Sequence, residues 1–154
     1  MEPAVTDRIE KRVVLKAPRS RVWQAIADSR QFGEWFGLAF DEPFEAGRTL
    51  RGRVTFPEQY KDLPFEMRIV AVEPERYFAY RWHPYAVDLT KDYSGEPMTL
   101  VEFTLAEDGP HTVLTVVESG FDQVPLDRRA EAFRMNEGGW AAQVENVARY
   151  VAGR

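Results

Sequence analysis

Between Leu126 and about Ala152, apolar residues recur at steps of three and four: Leu126, Ala130, Phe133, Trp140, Val144, Val147 and Val151. That spacing predicts one amphipathic helix, which at 1.5 Å per residue would be about 40 Å long. A helix of that length with a single apolar face needs a long apolar surface to lie on. The segment before it supplies one. "RTLRGRVTF" alternates with Leu50, Gly52, Val54 and Phe56 on one side, and "RYFAYRWHP" does the same with Phe78, Tyr80 and Trp82. "TLVEFTLAEDGPHTVLTVVESGF" reads as two strands around Asp108-Gly109-Pro110, with Val101, Phe103 and Leu105 sharing a face, then Leu114 and Val116. Strict alternation of this kind marks half-buried strands. Continued two residues further, it carries Glu118 inward.

Upstream, "RIEKRVVLKA" is a strand with Ile9, Val13 and Leu15 on one side and Lys11 interrupting. Pro18 opens a helix at its first position, with Val22, Trp23 and Ile26 as its stripe, and "SRQFGEWFG" makes a second short helix closed by Gly37. The strand Phe65–Glu73 leaves two parities open: Phe65, Met67 and Ile69 inward, or Val70 and Val72. Tyr85 to Pro97 is too long for a tight hairpin, and Asp88, Asp92 and Glu96 read there as a solvated acidic loop. The order of elements predicts one α+β domain over residues 1–154: a curved antiparallel β-sheet wrapped around a long C-terminal helix, with two short helices after the first strand.

Charge and composition remove several functions. The net charge of −5 disfavours nucleic acid or an anionic membrane surface, both of which require a basic face. No cysteine is present, so thiolate chemistry and disulfides are excluded. No apolar run approaches a membrane span and no signal-peptide core opens the chain, so membrane insertion is not expected and a cytoplasmic protein is. Two isolated histidines, His83 and His111, without a His-Glu-x-x-His pattern offer no metal site. Neither a nucleophile elbow nor a phosphate-binding glycine loop occurs. No cofactor and no catalytic residue is assigned on these grounds.

Four stretches in order, "VVLKAPRSRVWQAIADSRQFGEWFG", "VEPERYFAYRW", "VEFTLAEDGPHTVLTVVESGF" and "GGWAAQVENVARYV", resemble the START-like, or SRPBCC, helix-grip superfamily. Within it, the chain is most similar to the branch named after the activator of heat-shock-protein-90 ATPase. The resemblance implies a deep, mostly apolar cavity between the sheet and the last helix. Its expected wall is Phe78, Tyr80, Trp82, Phe103, Val116, Phe133, Trp140 and Val144, with Glu118 and Glu137 as polar groups. Glu137 falls on the same helical stripe, in line with Val144, and is expected to face that cavity without a partner; a break at Gly138-Gly139 would instead leave it solvated. The adjacent glycines, each unfavourable in a helix by about 1 kcal/mol, are expected to let backbone approach sheet or ligand, or to permit a bend. The function so implied is binding of a small hydrophobic or amphipathic molecule. The alternatives are an enzyme of the polyketide-cyclase or aromatase kind, in which Glu118 and Glu137 would do acid–base work, and a regulator of the chaperone's ATPase.

Overall fold

Seven strands form one antiparallel sheet in the order β1-β7-β6-β5-β4-β3-β2. They are β1 (Arg8–Leu15), β2 (Leu38–Phe40), β3 (Thr49–Val54), β4 (Pro64–Glu73), β5 (Tyr77–Trp82), β6 (Thr99–Asp108) and β7 (His111–Ser119). Helices α1 (Arg19–Ala27) and α2 (Ser29–Phe36) follow β1, and α3 (Leu126–Ala152) closes the chain. The structure is a computed structural model and describes residues 8–88 and 90–152.

The alternation in β5, β6 and β7 produces the core directly. Phe78, Tyr80, Val101, Phe103, Leu114, Val116 and Glu118 are all buried, each in register with an inward neighbour such as Phe78 with Phe103 and Phe103 with Val116. Both parities read in β4 are real. The register shifts between Ile69 and Ala71, so Met67 and Ile69 face inward before the bulge and Val72 packs inward after it, while Val70 is exposed. A bulge adds one residue to one strand and so swaps its faces. Phe56, expected inward, lies beyond the end of β3 and is exposed, because the chain leaves the sheet at Val54 and Thr55 N–H bonds back to the Gly37 carbonyl.

Helix α1 starts at Arg19, one position later than expected, with Pro18 as its cap residue rather than its first helical residue. Gly37 ends α2 in the left-handed region (φ 94°) that only glycine adopts without strain. Within α2, Gly33 sits so close to β2 that a Cβ there would lie 2.1 Å from the Leu38 carbonyl oxygen. That approach lets Phe32 and Phe36 reach over the sheet. Phe32 packs on Phe44, Phe103 and Phe78 at ring-centroid distances of 5.5, 6.0 and 6.3 Å, and Phe36 on Trp140 and Trp82 at 5.6 and 5.9 Å.

Helix α3 spans the predicted residues, but its contact face is not the predicted one throughout. From Trp140 onward, Val147 and Val151 are buried as expected. In the first half the buried positions are Arg128 and Ala132, whereas Leu126 and Ala130 are exposed. Arg128 and Asn136 are polar, so the true face is invisible to a search for apolar spacing. Gly138 and Gly139 lie on the outer side, with nothing within 4 Å of a Cβ added at either. They neither admit a close neighbour nor interrupt α3. Gly138→Ala and Gly139→Ala are therefore expected to stabilise the fold by roughly 0.5–1 kcal/mol each, through helix propensity and a less flexible unfolded chain. Urea unfolding of the two variants measures this; a loss of stability would mean that the glycines serve a contact absent from the free chain.

Candidate functional site

The polar centre of the molecule is Glu118. It is 0% exposed and sits near the end of β7, opposite Val101 of β6 and Ile9 of β1. Four neutral donors surround it. Trp82 Nε1 donates to Oε2 at 2.8 Å and Thr99 Oγ1 to the same oxygen at 2.6 Å. Trp140 Nε1 donates to Oε1 at 2.8 Å, and Asn136 Nδ2 reaches both oxygens at 3.0 and 3.2 Å. Trp82 and Thr99 face one another across β5 and β6, while Asn136 and Trp140 are one turn apart on α3. A single carboxylate thus ties the sheet to the helix. Burial raises the pKa of Glu118 above its usual value, and the bonds from Thr99, Trp82, Trp140 and Asn136 pull it back only in part. The Tyr80 hydroxyl, also buried, is pushed well above its ordinary value by burial and by the charge of Glu118.

Two of those donors, Trp82 and Asn136, also line an open cleft of about 520 Å³. This volume lies within the usual ~300–1,000 Å³ range of ligand sites. Its inner wall is apolar: Phe36 at the end of α2, Leu38 of β2, Val54 of β3, Leu63, and Phe65 of β4. The segment after β5 covers the outer side with His83, Tyr85, Val87 and Tyr93. Charges of both signs stand at the rim, Arg51, Glu66, Asp88 and Lys91, with Arg51 and Glu66 3.6 Å apart. Gln143 of α3 donates to the Phe36 carbonyl at 2.9 Å and holds the end of α2 beside the cleft.

Arg128 fixes the covering segment. Its Nε and Nη2 donate to Glu96 Oε1 at 2.9 and 2.8 Å, its Nη1 donates to the Pro84 carbonyl at 2.8 Å, and its guanidinium lies 4.8 Å from the centre of the Tyr93 ring. Glu96, expected among solvated acids, is instead a nearly buried partner, 17% exposed at its side chain. Asp88 and Asp92 are solvated, and each accepts from a backbone N–H two residues on, in Thr90 and Ser94. These local bonds lower both pKa values, led for Asp88 by the Thr90 hydroxyl and for Asp92 by the Ser94 N–H.

Of the ten residues expected to line a cavity, only Trp82 lines the cleft. Phe78, Tyr80, Phe103 and Val116 are core residues, covered by the α2 rings that fill the space beneath the sheet. Trp140 and Glu118 are enclosed behind the cleft, Val144 packs half-buried on the core, and Phe133 packs on Phe121 with ring centroids 5.2 Å apart. Glu137 does not face inward. Its side chain is 54% exposed and stands 3.9 Å from Lys11 of β1, because successive helical residues are turned by about 100° and Asn136 takes the inward place. Asn136 and Thr99 were missed. The only available signal for Asn136 was its place one turn before Trp140; Thr99 precedes the β6 alternation by two residues, at the same parity.

Residues 16–152 match the family described as Activator of Hsp90 ATPase homolog 1-like protein. The chain belongs to that family. Among curated protein sequences none matches it. Solved structures share its fold. One from Arthrobacter aurescens, 14% identical, superposes with a TM-score of 0.78 over 100% of this chain and 91% of its own. The Aha1 dimer from Colwellia psychrerythraea, 13% identical, gives a TM-score of 0.67 over 91% of this chain and 92% of that one. DynU16, a protein of the dynemicin biosynthetic locus, is 26% identical with a TM-score of 0.69 over 95% of this chain; the present chain spans 47% of DynU16. The helix-grip, START-like architecture expected from the sequence is therefore the observed one. Among the described residues no helix is long and apolar enough to cross a membrane.

Proposed function

We propose that the protein binds a small hydrophobic or amphipathic molecule in the cleft between the β3–β5 side of the sheet, the 83–97 segment and α3. The observation that carries this reading is the double role of Trp82 and Asn136. Both line the cleft, and both are held from behind by a buried carboxylate. Polar groups fixed before the ligand arrives lose less entropy on binding, which is the physical content of preorganisation. The apolar inner wall supplies the hydrophobic contact, and the mixed charges of the rim select no single ligand charge.

A cyclase-like use of Glu118 is less well supported. A general base must reach the proton that it removes, and Glu118 is enclosed by its four donors. The test is native mass spectrometry of the protein purified from its own host. A co-purifying small-molecule adduct is expected on the wild type and not on Ala86→Trp, whose indole would fill the cleft. A wild type that flies at its bare mass, or an adduct that persists in Ala86→Trp, would count against the cleft.

A further inference from the structure

The amide of Asn136 is oriented by chemistry. An ionised carboxylate only accepts hydrogen bonds, so the Nδ2 group of Asn136 must face Glu118, as its 3.0 and 3.2 Å contacts show. The flipped amide would set one acceptor against another. The two indole N–H groups of Trp82 and Trp140 and the Thr99 hydroxyl likewise donate to this carboxylate. Asn136 Oδ1 is thereby turned away from Glu118, and it has no protein partner among the described residues. Phe36, Leu38 and Val54 are among the apolar residues that line the same cleft. The Trp82 N–H is already committed to Glu118, and His83 Nε2 is committed to the Glu96 carbonyl at 3.0 Å.

We infer that Asn136 is a specificity-determining residue of the cleft, selecting molecules with a flat apolar body that carry a hydroxyl or N–H donor for its Oδ1. The flat body follows from the aromatic side chains in the cleft lining, Phe36, Phe65, Trp82 and Tyr93. A molecule that places an acceptor or a bare carbon at that point leaves Oδ1 desolvated without a bond and binds more weakly. Glu118 acts through Asn136 and is a positioning residue. This inference rests on the cleft reading above, and its test separates the two.

The probes are 1-naphthol and its near-isostere 1-fluoronaphthalene, titrated by calorimetry into wild type, Asn136→Leu and Asn136→Ala. Two substitutions are used so that one folded variant suffices, each checked by its melting curve. In the wild type, 1-naphthol is expected to bind roughly tenfold tighter, the equivalent of one net hydrogen bond. In the variants the preference is expected to vanish, through loss of 1-naphthol affinity while that of 1-fluoronaphthalene changes by less than about twofold. Equal affinities in the wild type would overturn the inference and leave the cleft reading standing. A preference that survives in a folded variant would overturn the assignment to Asn136. Absence of binding by either probe to the wild type would remove the cleft reading and this inference with it.

Discussion

Glu118→Leu is expected to lower the unfolding free energy by on the order of 3 kcal/mol, although it removes a buried charge. Leucine fits the apolar surroundings, but it leaves the Trp140 indole and the Thr99 hydroxyl without an acceptor in the interior. Each such orphan costs about 1–3 kcal/mol. Trp82 and Asn136, half-exposed at the cleft, are able to turn to water. Glu118→Gln keeps one acceptor oxygen and is expected to cost less, about 2 kcal/mol. The glutamine variant also reads the titration. The folded pKa of Glu118 is raised above its ordinary value of 4.5. In the window between the two values the folded state holds more protons than the unfolded one, so the stability that this residue contributes falls as pH rises. Below 4.5 that contribution is fully present. The advantage of wild type over Glu118→Gln should therefore shrink from pH 4.5 upward and level off above the folded pKa. Urea denaturation across that range measures it; an advantage that grows with pH would mean that the four donors outweigh burial and lower the pKa.

Arg128→Met is the second large effect. The substitution keeps much of the apolar stem but leaves the Glu96 carboxylate, at 17% exposure, without its ion pair, and it frees the Pro84 carbonyl. Removing one member of a largely buried pair costs about 3–5 kcal/mol. We expect the lower end, since Glu96 keeps some access to water. The loss should be local as well as global. Trypsin cleavage after Lys91, in the segment held by Arg128, is expected to accelerate well before global unfolding. Arg128→Lys should restore only part of the stability, because an ammonium is unable to bond Glu96 through two nitrogens while also reaching Pro84. Unchanged proteolysis and melting in Arg128→Met would show that the segment is held by Tyr93 and His83 rather than by the arginine.

The parts of the fold that alternation or helical period governs were legible in the sequence. β5, β6 and β7 bury the residues that their period of two selects, and that period alone carried Glu118 inward. The site was less legible, for three physical reasons. The α2 rings occupy the space beneath the sheet, and how far Phe32 and Phe36 reach depends on the close approach at Gly33, which spacing does not encode. The face of α3 was traced through apolar residues from Leu126. Its first half is turned inward by Arg128 and Asn136, whose polar ends are satisfied by Glu96 and Glu118. The apolar spacing therefore points inward at Glu137, one residue beyond Asn136, which actually takes that place. Finally, the 83–97 segment carries no period at all, and its position depends on one arginine far along the chain.

Uptake of a small molecule by the cleft bounded by Trp82 and Asn136 is the function proposed for this protein. The most direct measurement is a two-dimensional 1H–15N NMR titration with 1-naphthol, following the four tryptophan indole N–H signals and the Asn136 side-chain amide. The expected result is a saturable shift of the Trp82 and Asn136 signals, a smaller one at Trp140 through their shared carboxylate, and none at Trp23 or at Trp35, whose indole is bonded to the Ala25 carbonyl at 2.8 Å. Saturable shifts confined to Trp23 or Trp35, or signals that do not move at all, would contradict the account.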